Sequence, residues 1–391
     1  MIRELFISIY LFFYKCCFAI FKLFPLKNKV VVVASFLDNN QYLYAEMKKR
    51  QFPGEIVFLC KKSCASSIKK VVSEPIYQIE SGIIWAELMA AYHMMTAKTI
   101  IVDNYYGFLA AANFRDEVEC IQIWHAAGAI KNFGLLDQTV EKRSDREKKR
   151  LLSVYGNFHK VVVNSRTFAQ IFEKAFHIKG HQFLPFGYPR TDFFFDMESK
   201  ESLRLFFYEK YPQFKGKKII LYAPTYRAKE ENNRLMLDIP LLSERLKDKY
   251  IFIIKMHPSI SMQLELEEAE FITDFSKEAS INELLVVSDF LITDYSSIPF
   301  EYVLMNKPMI FYPYDLSEYE KNPGLWERYE NIVPGPIAKN TEEVMNYIES
   351  FPYESVDYEA FNVKWNEYSN GLSSQKLVQY IINRHLTENN N

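Results

Sequence analysis

With 391 residues the chain exceeds what one hydrophobic core usually holds, so two domains plus appendages are expected. A formal charge of −2 supplies no bulk positive field, which disfavours nucleic acid and requires any anionic ligand to be met by a local patch. The five cysteines, Cys16, Cys17, Cys60, Cys64 and Cys120, fit neither a secreted disulfide framework nor paired zinc hooks, so a reducing cytosol is expected.

Residues 2–26 form an aromatic, apolar stretch interrupted by Lys15 and Lys22, which fall near one face of a helix. A spanning helix wants about 20 uninterrupted apolar residues, so a helix lying on the membrane surface is expected, with a spanning anchor or a helix packed on the protein as alternatives. No small-residue cleavage site of a signal peptide follows it. Next comes a continuous β-branched run at residues 29–36, then strand patterns at 55–60, 99–103, 119–124 and 160–165. Helical patterns at 41–50 and 83–96 alternate with them, which predicts a parallel sheet covered by helices.

The turn chemistry of Phe186-Gly187-Tyr188-Pro189-Arg190 marks a boundary, after which strand patterns recur at 217–223, 250–255, 290–293 and 308–312. The expected division is therefore a membrane-associated helix at 1–27, a Rossmann-like domain at 28–185, a second Rossmann-like domain at 186–352 and a helical tail at 353–391. The fold class is α/β, with two Rossmann-type domains and a cleft between them. Neither G-x-G-x-x-G nor G-x-x-x-x-G-K-S/T occurs, which removes the signatures of dinucleotide oxidoreductases and P-loop ATPases.

Chemistry concentrates at strand ends. His125 follows Trp124 and precedes the small residues Ala126, Ala127 and Gly128, so its imidazole can serve as a general base on a closely approaching hydroxyl, or can simply be a satisfied structural histidine. His257, directed by Pro258 after Lys255 and Met256, can stabilise phosphate oxygens or cap a helix. Ser296 and Ser297 follow a strand and precede a helix, which suits a phosphate as well as it suits plain capping. Glu301 can accept from ribose hydroxyls, while Pro224, Thr225, Arg227 and Arg190 lie at further strand ends. Either arginine suits a diphosphate or a surface ion pair. No metal-ligand spacing joins the histidines, so no metal site is expected.

Five stretches in order carry a resemblance: Trp-His-Ala-Ala-Gly-Ala-Ile-Lys-Asn-Phe-Gly (124–134), Gly-Tyr-Pro-Arg-Thr-Asp (187–192), Tyr-Ala-Pro-Thr-Tyr-Arg (222–227), Lys-Met-His-Pro-Ser (255–259) and Thr-Asp-Tyr-Ser-Ser-Ile-Pro-Phe-Glu (293–301). Together they resemble the CDP-glycerol glycerophosphotransferase family of wall teichoic acid synthesis, from about Val30 to Asn370. Residues 101–106 and 124–135 are most similar to its glycerol phosphate primases. Chain-extending polymerases of the family usually show Trp-His-Gly-Thr-Pro where Ala126 and Ala127 stand here.

The resemblance implies a GT-B-like fold, CDP-glycerol as donor and an undecaprenyl-diphosphate-linked N-acetylmannosaminyl-N-acetylglucosamine as acceptor. It implies His125 as base and His257 as a catalytic phosphoryl ligand. Arg190, Pro224, Thr225, Lys255, Met256, Ser296, Ser297 and Glu301 are the implied donor-binding positions, and Asp103, Asn104, Trp124, Ala126, Ala127 and Gly128 the acceptor or cleft-lining ones. No cofactor is required, although Mg2+ is compatible with the chemistry. The cytoplasmic face of the membrane is the expected location, since the acceptor stays in the bilayer; the local basic excess at Lys142 to Arg150 is read first as a solvated helix face with ion pairs, and as an alternative as a surface for anionic lipid or the acceptor diphosphate. A polymerase or ribitol phosphate enzyme of the same family, a nucleotide-sugar glycosyltransferase and a non-catalytic sugar-nucleotide binder are the rival readings. Oligomeric state is not legible.

Overall fold

The computed structural model describes residues 2–225, 227, 235–256, 271–277, 280–350 and 357–387. The chain divides into two compact units. Met1–Ala127, Phe133–Asp192 and Trp365–Asn391 form the first; Gly128–Asn132 and Phe193–Lys364 form the second. The short segment just after His125 therefore belongs to the second unit, while both of its flanks belong to the first.

The first unit is built on seven parallel strands: β1 Lys27–Ala34, β2 Glu55–Lys61, β3 Ile76–Ile79, β4 Ala97–Val102, β5 Glu119–Gln122, β6 Lys160–Val162 and β7 Phe183–Leu184. Their order is β3-β2-β1-β4-β5-β6-β7. Central strands of an all-parallel sheet are covered on both faces, which is why Val30 to Ala34 and Ile100 to Val102 are almost completely buried without alternation. Each crossover is a helix or loop that returns the chain to the same end of the sheet, and the strands run out from β1 first to one edge and then to the other, the double winding expected of a Rossmann-type sheet.

The second unit repeats the plan with β8 Lys218–Ala223, β9 Tyr250–Ile254, β10 Ile272–Asp274, β11 Phe290–Thr293 and β12 Met309–Phe311, in the order β10-β9-β8-β11-β12. In both sheets the order reverses beside the first strand, between β1 and β4 and between β8 and β11. Crevices at such reversals are where open α/β sheets hold ligands, at the carboxyl ends of the strands.

Helix Ile2–Phe21 lies along the first unit. Tyr14, Cys17 and Phe18 are its buried residues, and Tyr14 donates to Glu87 Oε2 at 2.5 Å on helix Ile84–Met95. Arg150 holds Glu4 through a bidentate pair at 2.7 and 2.9 Å, and Arg146 donates to Ser8 at 2.8 Å. Two arginines of the basic stretch at 142–150 are thus spent on seating this helix. Helix Ser373–Thr387 also packs on the first unit, where His385 contacts Thr99 at 2.9 Å and Arg50 donates to Gln379 at 2.6 Å.

Candidate functional site

At the reversal in the first unit stands Asp103, directly after β4. Its buried carboxylate accepts from the amides of Ser35 and Phe36, from Asn40 Nδ2 and from the Tyr106 hydroxyl, at 2.7 to 3.0 Å. Burial raises its pKa to about 6, opposed by these bonds, of which that from Tyr106 is the strongest. So loaded, the side chain fastens the end of β1 to the end of β4. Its backbone carbonyl meets His125 Nδ1 at 3.0 Å. A carbonyl can only accept, so Nδ1 carries the proton and Nε2 keeps its lone pair.

His125 is packed against two aromatic rings and held at its own carbonyl. Phe36 stacks on it at 4.8 Å and Trp124 lies 4.3 Å away. Arg190 Nη1 donates to the His125 carbonyl at 2.7 Å and sits 3.6 Å from Asp38. Burial lowers the imidazole pKa below its ordinary 6.5, with Arg190 adding to the effect and the Asp103 carbonyl opposing it.

The residue before it is strained. Trp124 has φ of 54°, a left-handed conformation rarely adopted by a bulky side chain, which costs about 1–3 kcal/mol. It is held there by the Trp124 N–H donating to Gln122 Oε1 and by Asn39 Nδ2 donating to the Trp124 carbonyl, both at 2.8 Å. The strained turn sets the direction in which His125 leaves the sheet. Asn39 also accepts from the Arg190 amide at 3.0 Å, so one side chain ties together the ends of β1 and β5 and the residues after β7. Asn39 was not singled out from sequence, although the Asp38-Asn39-Asn40 cluster just after a strand was a usable signal.

The second unit repeats the fastening. Asp294, directly after β11, accepts from the Thr225 amide at 2.8 Å beyond the end of β8, and from the Tyr295 amide at 2.6 Å. Its other oxygen takes Arg227 Nη2 at 2.8 Å. Arg227 also reaches Asp315 through Nε at 2.7 Å and Nη2 at 3.0 Å, and the Thr225 carbonyl through Nη1 at 2.6 Å. The rings of Tyr295, Tyr314 and Tyr319 each lie 5.1 Å from the guanidinium. Sequence left Arg227 open between diphosphate ligand and surface ion pair. It is instead 6% exposed and committed to two carboxylates.

The remaining positions fall as follows. Thr225, beside Pro224, has a buried Oγ1 with no partner among the described residues. Ser296 and Ser297 are half-buried on the turn after Asp294, and the helix they lead into, Pro299–Tyr302, is a single turn. Glu301 within it is 2% exposed. Lys255 donates to the carbonyls of Phe275 and Ser276, both at 3.0 Å, and the Met256 amide donates to Ser276 Oγ at 2.9 Å. His257 lies outside the described residues. Arg190, Asp103, Asn104, Trp124, Ala126 and Ala127 gather in the first unit. Asn104 accepts from Gln122 Nε2 at 3.1 Å through its carbonyl; Ala126 is half-buried, and Ala127 is buried with its carbonyl taken by Asn164. Gly128 lies in the second unit, where its missing side chain makes room for Phe300; a Cβ would come within 2.3 Å of that ring.

Three comparisons bear on this arrangement. A teichoic acid glycerol-phosphate primase of Bacillus subtilis (strain 168) is 33% identical over 387 residues, covering 98% of this chain and 99% of that protein. A teichoic acid poly(ribitol-phosphate) polymerase of Bacillus spizizenii (strain ATCC 23059 / NRRL B-14472 / W23) is also 33% identical, covering 97% of this chain and 60% of that one. Among solved structures, a variant of the wall teichoic acid polymerase TagF soaked with CDPG superposes with a TM-score of 0.79 at 21% identity, covering 99% of each chain, which shows a shared α/β fold. The model of the CDP-glycerol:poly(glycerophosphate) glycerophosphotransferases matches residues 16–383, and with the relatives at this identity and coverage it shows that the chain belongs to that family.

Proposed function

We propose that this protein is a glycerol phosphate primase. It transfers one glycerol phosphate from CDP-glycerol to the N-acetylmannosamine of an undecaprenyl-diphosphate-linked N-acetylmannosaminyl-N-acetylglucosamine. The observation that carries the chemistry is the His125 imidazole, oriented through Nδ1 by the Asp103 carbonyl and left with a basic Nε2. In the proposed step an acceptor hydroxyl gives its proton to Nε2 while its oxygen attacks the glycerol-bearing phosphorus. The P–O bond to the bridging oxygen breaks and CMP leaves with the electron pair. Little covalent work falls to the protein, so positioning and charge stabilisation dominate. The donor is assigned to the β8–β11 crevice, with Pro224, Thr225, Lys255, Met256, Ser296, Ser297 and Glu301 as its surroundings, His257 as a phosphoryl ligand and Arg190 as a further contact. The step as written uses no resident cofactor, and Mg2+ carried by the donor phosphates is compatible with it.

The primase reading is supported by the B. subtilis relative, matched along practically its whole length. A polymerase or ribitol phosphate reading is favoured by the equal identity of the poly(ribitol-phosphate) polymerase. Product mass spectrometry after incubation with CDP-glycerol and the lipid-linked disaccharide separates them: one added unit with CMP released supports the primase, and a ladder or a requirement for CDP-ribitol replaces it.

The lowered His125 pKa sets a pH dependence. Transfer needs the neutral imidazole, so kcat/KM should be level through neutrality and fall only as the pH drops below 6.5 through the depressed pKa. An acidic limb centred above 6.5 would remove His125 as the base.

We further propose that the first unit rests on the cytoplasmic face of the membrane. The outward side of helix Ile2–Phe21 exposes Ile2, Leu5, Phe6, Ile9 and Phe12, each 57% or more, at helical spacing. Ile83, Ile84 and Trp85, at the start of the neighbouring helix, are exposed to a similar degree. Each large apolar side chain buried in the interface contributes roughly 1.5–3 kcal/mol, so Phe6→Asp with Phe12→Asp should weaken vesicle binding by about a hundredfold or more. Flotation of the double variant at the wild-type level would place the membrane contact elsewhere.

A further inference from the structure

The second unit has to meet a diphosphate with cations, yet among the described residues Arg227 and Lys255 at its crevice are engaged, Arg227 by Asp294 and Asp315 and Lys255 by two carbonyls. The one-turn helix Pro299–Tyr302 adds little dipole. Lys131, which the sequence reading assigned no role, fills this gap. It lies on the segment Gly128–Asn132, fixed to the second unit at successive residues. Gly128 abuts Phe300, the Ala129 carbonyl accepts from Trp326 Nε1 at 2.7 Å, Lys131 bridges to Leu325, and the Asn132 amide donates to the Gly324 carbonyl at 3.1 Å.

With its backbone so held, the Lys131 ammonium stands 5.7 Å over the ring of Tyr319. Tyr319 in turn stacks on Tyr295 at 3.6 Å and 9°, and Tyr295 immediately precedes Ser296 and Ser297. Among the described residues the ammonium has neither a hydrogen bond nor an ion pair. Burial lowers its pKa, with Asp294 only partly opposing and Arg227 adding to the depression. A half-buried cation in this state is a cost to the empty protein that an anion would remove.

We propose that Lys131 is a phosphate-binding residue of the second unit, contacting an oxygen of the nucleotide donor's diphosphate; the identity of that donor rests on the function proposed above. It stands six positions after His125 in sequence. The segment that carries the base in one unit thus carries an anion ligand in the other.

The test is isothermal titration of inorganic pyrophosphate, CDP-glycerol and cytidine into the full chain, as wild type, Lys131→Gln and Lys131→Arg. Loss of a charge-assisted contact should weaken pyrophosphate and CDP-glycerol binding by roughly tenfold to a hundredfold in Lys131→Gln, with cytidine unchanged and Lys131→Arg largely restored. The ligand-free Lys131→Gln protein should melt at a higher temperature than wild type, since a desolvated charge is gone. Affinities for both phosphates within about twofold of wild type would overturn the assignment. So would lost affinity accompanied by a lower melting temperature, which marks a structural role. Binding of pyrophosphate that depends on Lys131, without binding of CDP-glycerol, would leave the assignment standing and overturn the donor. Binding of neither by the wild type overturns both.

Discussion

Substituting His125 by Asn is expected to lower the rate of glycerol phosphate transfer by roughly 10²–10⁴-fold, the usual worth of a positioned general base, with CDP-glycerol affinity unchanged. Asn is the informative replacement because its side-chain amide can still donate to the Asp103 carbonyl, as His125 Nδ1 does at 3.0 Å. The packing between Phe36 and Trp124 is then disturbed least, and what disappears is the lone pair of Nε2. Turnover near the wild-type level in single-turnover assays would move the base elsewhere. A wild-type protein that binds CDP-glycerol but never releases CMP would instead favour the non-catalytic reading.

The largest loss of stability is expected from Asp294→Ala. Its side chain is 2% exposed and accepts from the amides of Thr225 and Tyr295 as well as from Arg227. Removing one partner from a buried ion pair typically costs 3–5 kcal/mol, because the other charge remains desolvated. Here Asp315 still holds the guanidinium, which argues for the lower part of that range, about 3 kcal/mol, while the two orphaned amides add to it. Calorimetry should show the transition of the second unit lowered by roughly 6–12 °C. Asp294→Asn, which keeps an acceptor for the amides but not the charge, should fall between. A melting temperature equal to wild type for Asp294→Ala would show that the network does not hold the β8–β11 crevice together.

The surroundings of His125 and Asp294 also show where sequence reading succeeds and where it stops. All nine strands expected from apolar runs are present, because strands buried on both faces of a parallel sheet advertise themselves by composition. Ile76–Ile79, Phe183–Leu184 and Ile272–Asp274 escaped it; these strands have four, two and three residues and owe their existence to a neighbour's edge rather than to their own pattern. His125 was legible through its place after a strand. What could not be read was the left-handed backbone at Trp124, since no local rule asks a tryptophan to adopt it; tertiary bonds from Gln122 and Asn39 impose it. Arg227 was ambiguous for a related reason. An arginine and two aspartates separated by 67 and 88 positions give no spacing signal, and only the folded sheet brings them together. The fate of Gly128 was similarly hidden, because its requirement comes from Phe300, far along the chain.

The interleaving of the two units along the chain has a bearing on synthesis. The first unit needs Trp365–Asn391, which emerge only after all of Phe193–Lys364 has been made. At 5–20 residues per second, the nascent first unit waits roughly 10–30 s for the helix that covers its sheet. During that interval Asn28 on β1, Thr99 on β4 and Phe52 in the loop before β2, which later receive His385, stay uncovered. The aromatic N-terminal helix has already left the ribosome by then. A chain made in this order carries its apolar leading segment and an unfinished sheet together, so early contact with a chaperone or a lipid surface would protect both until translation ends.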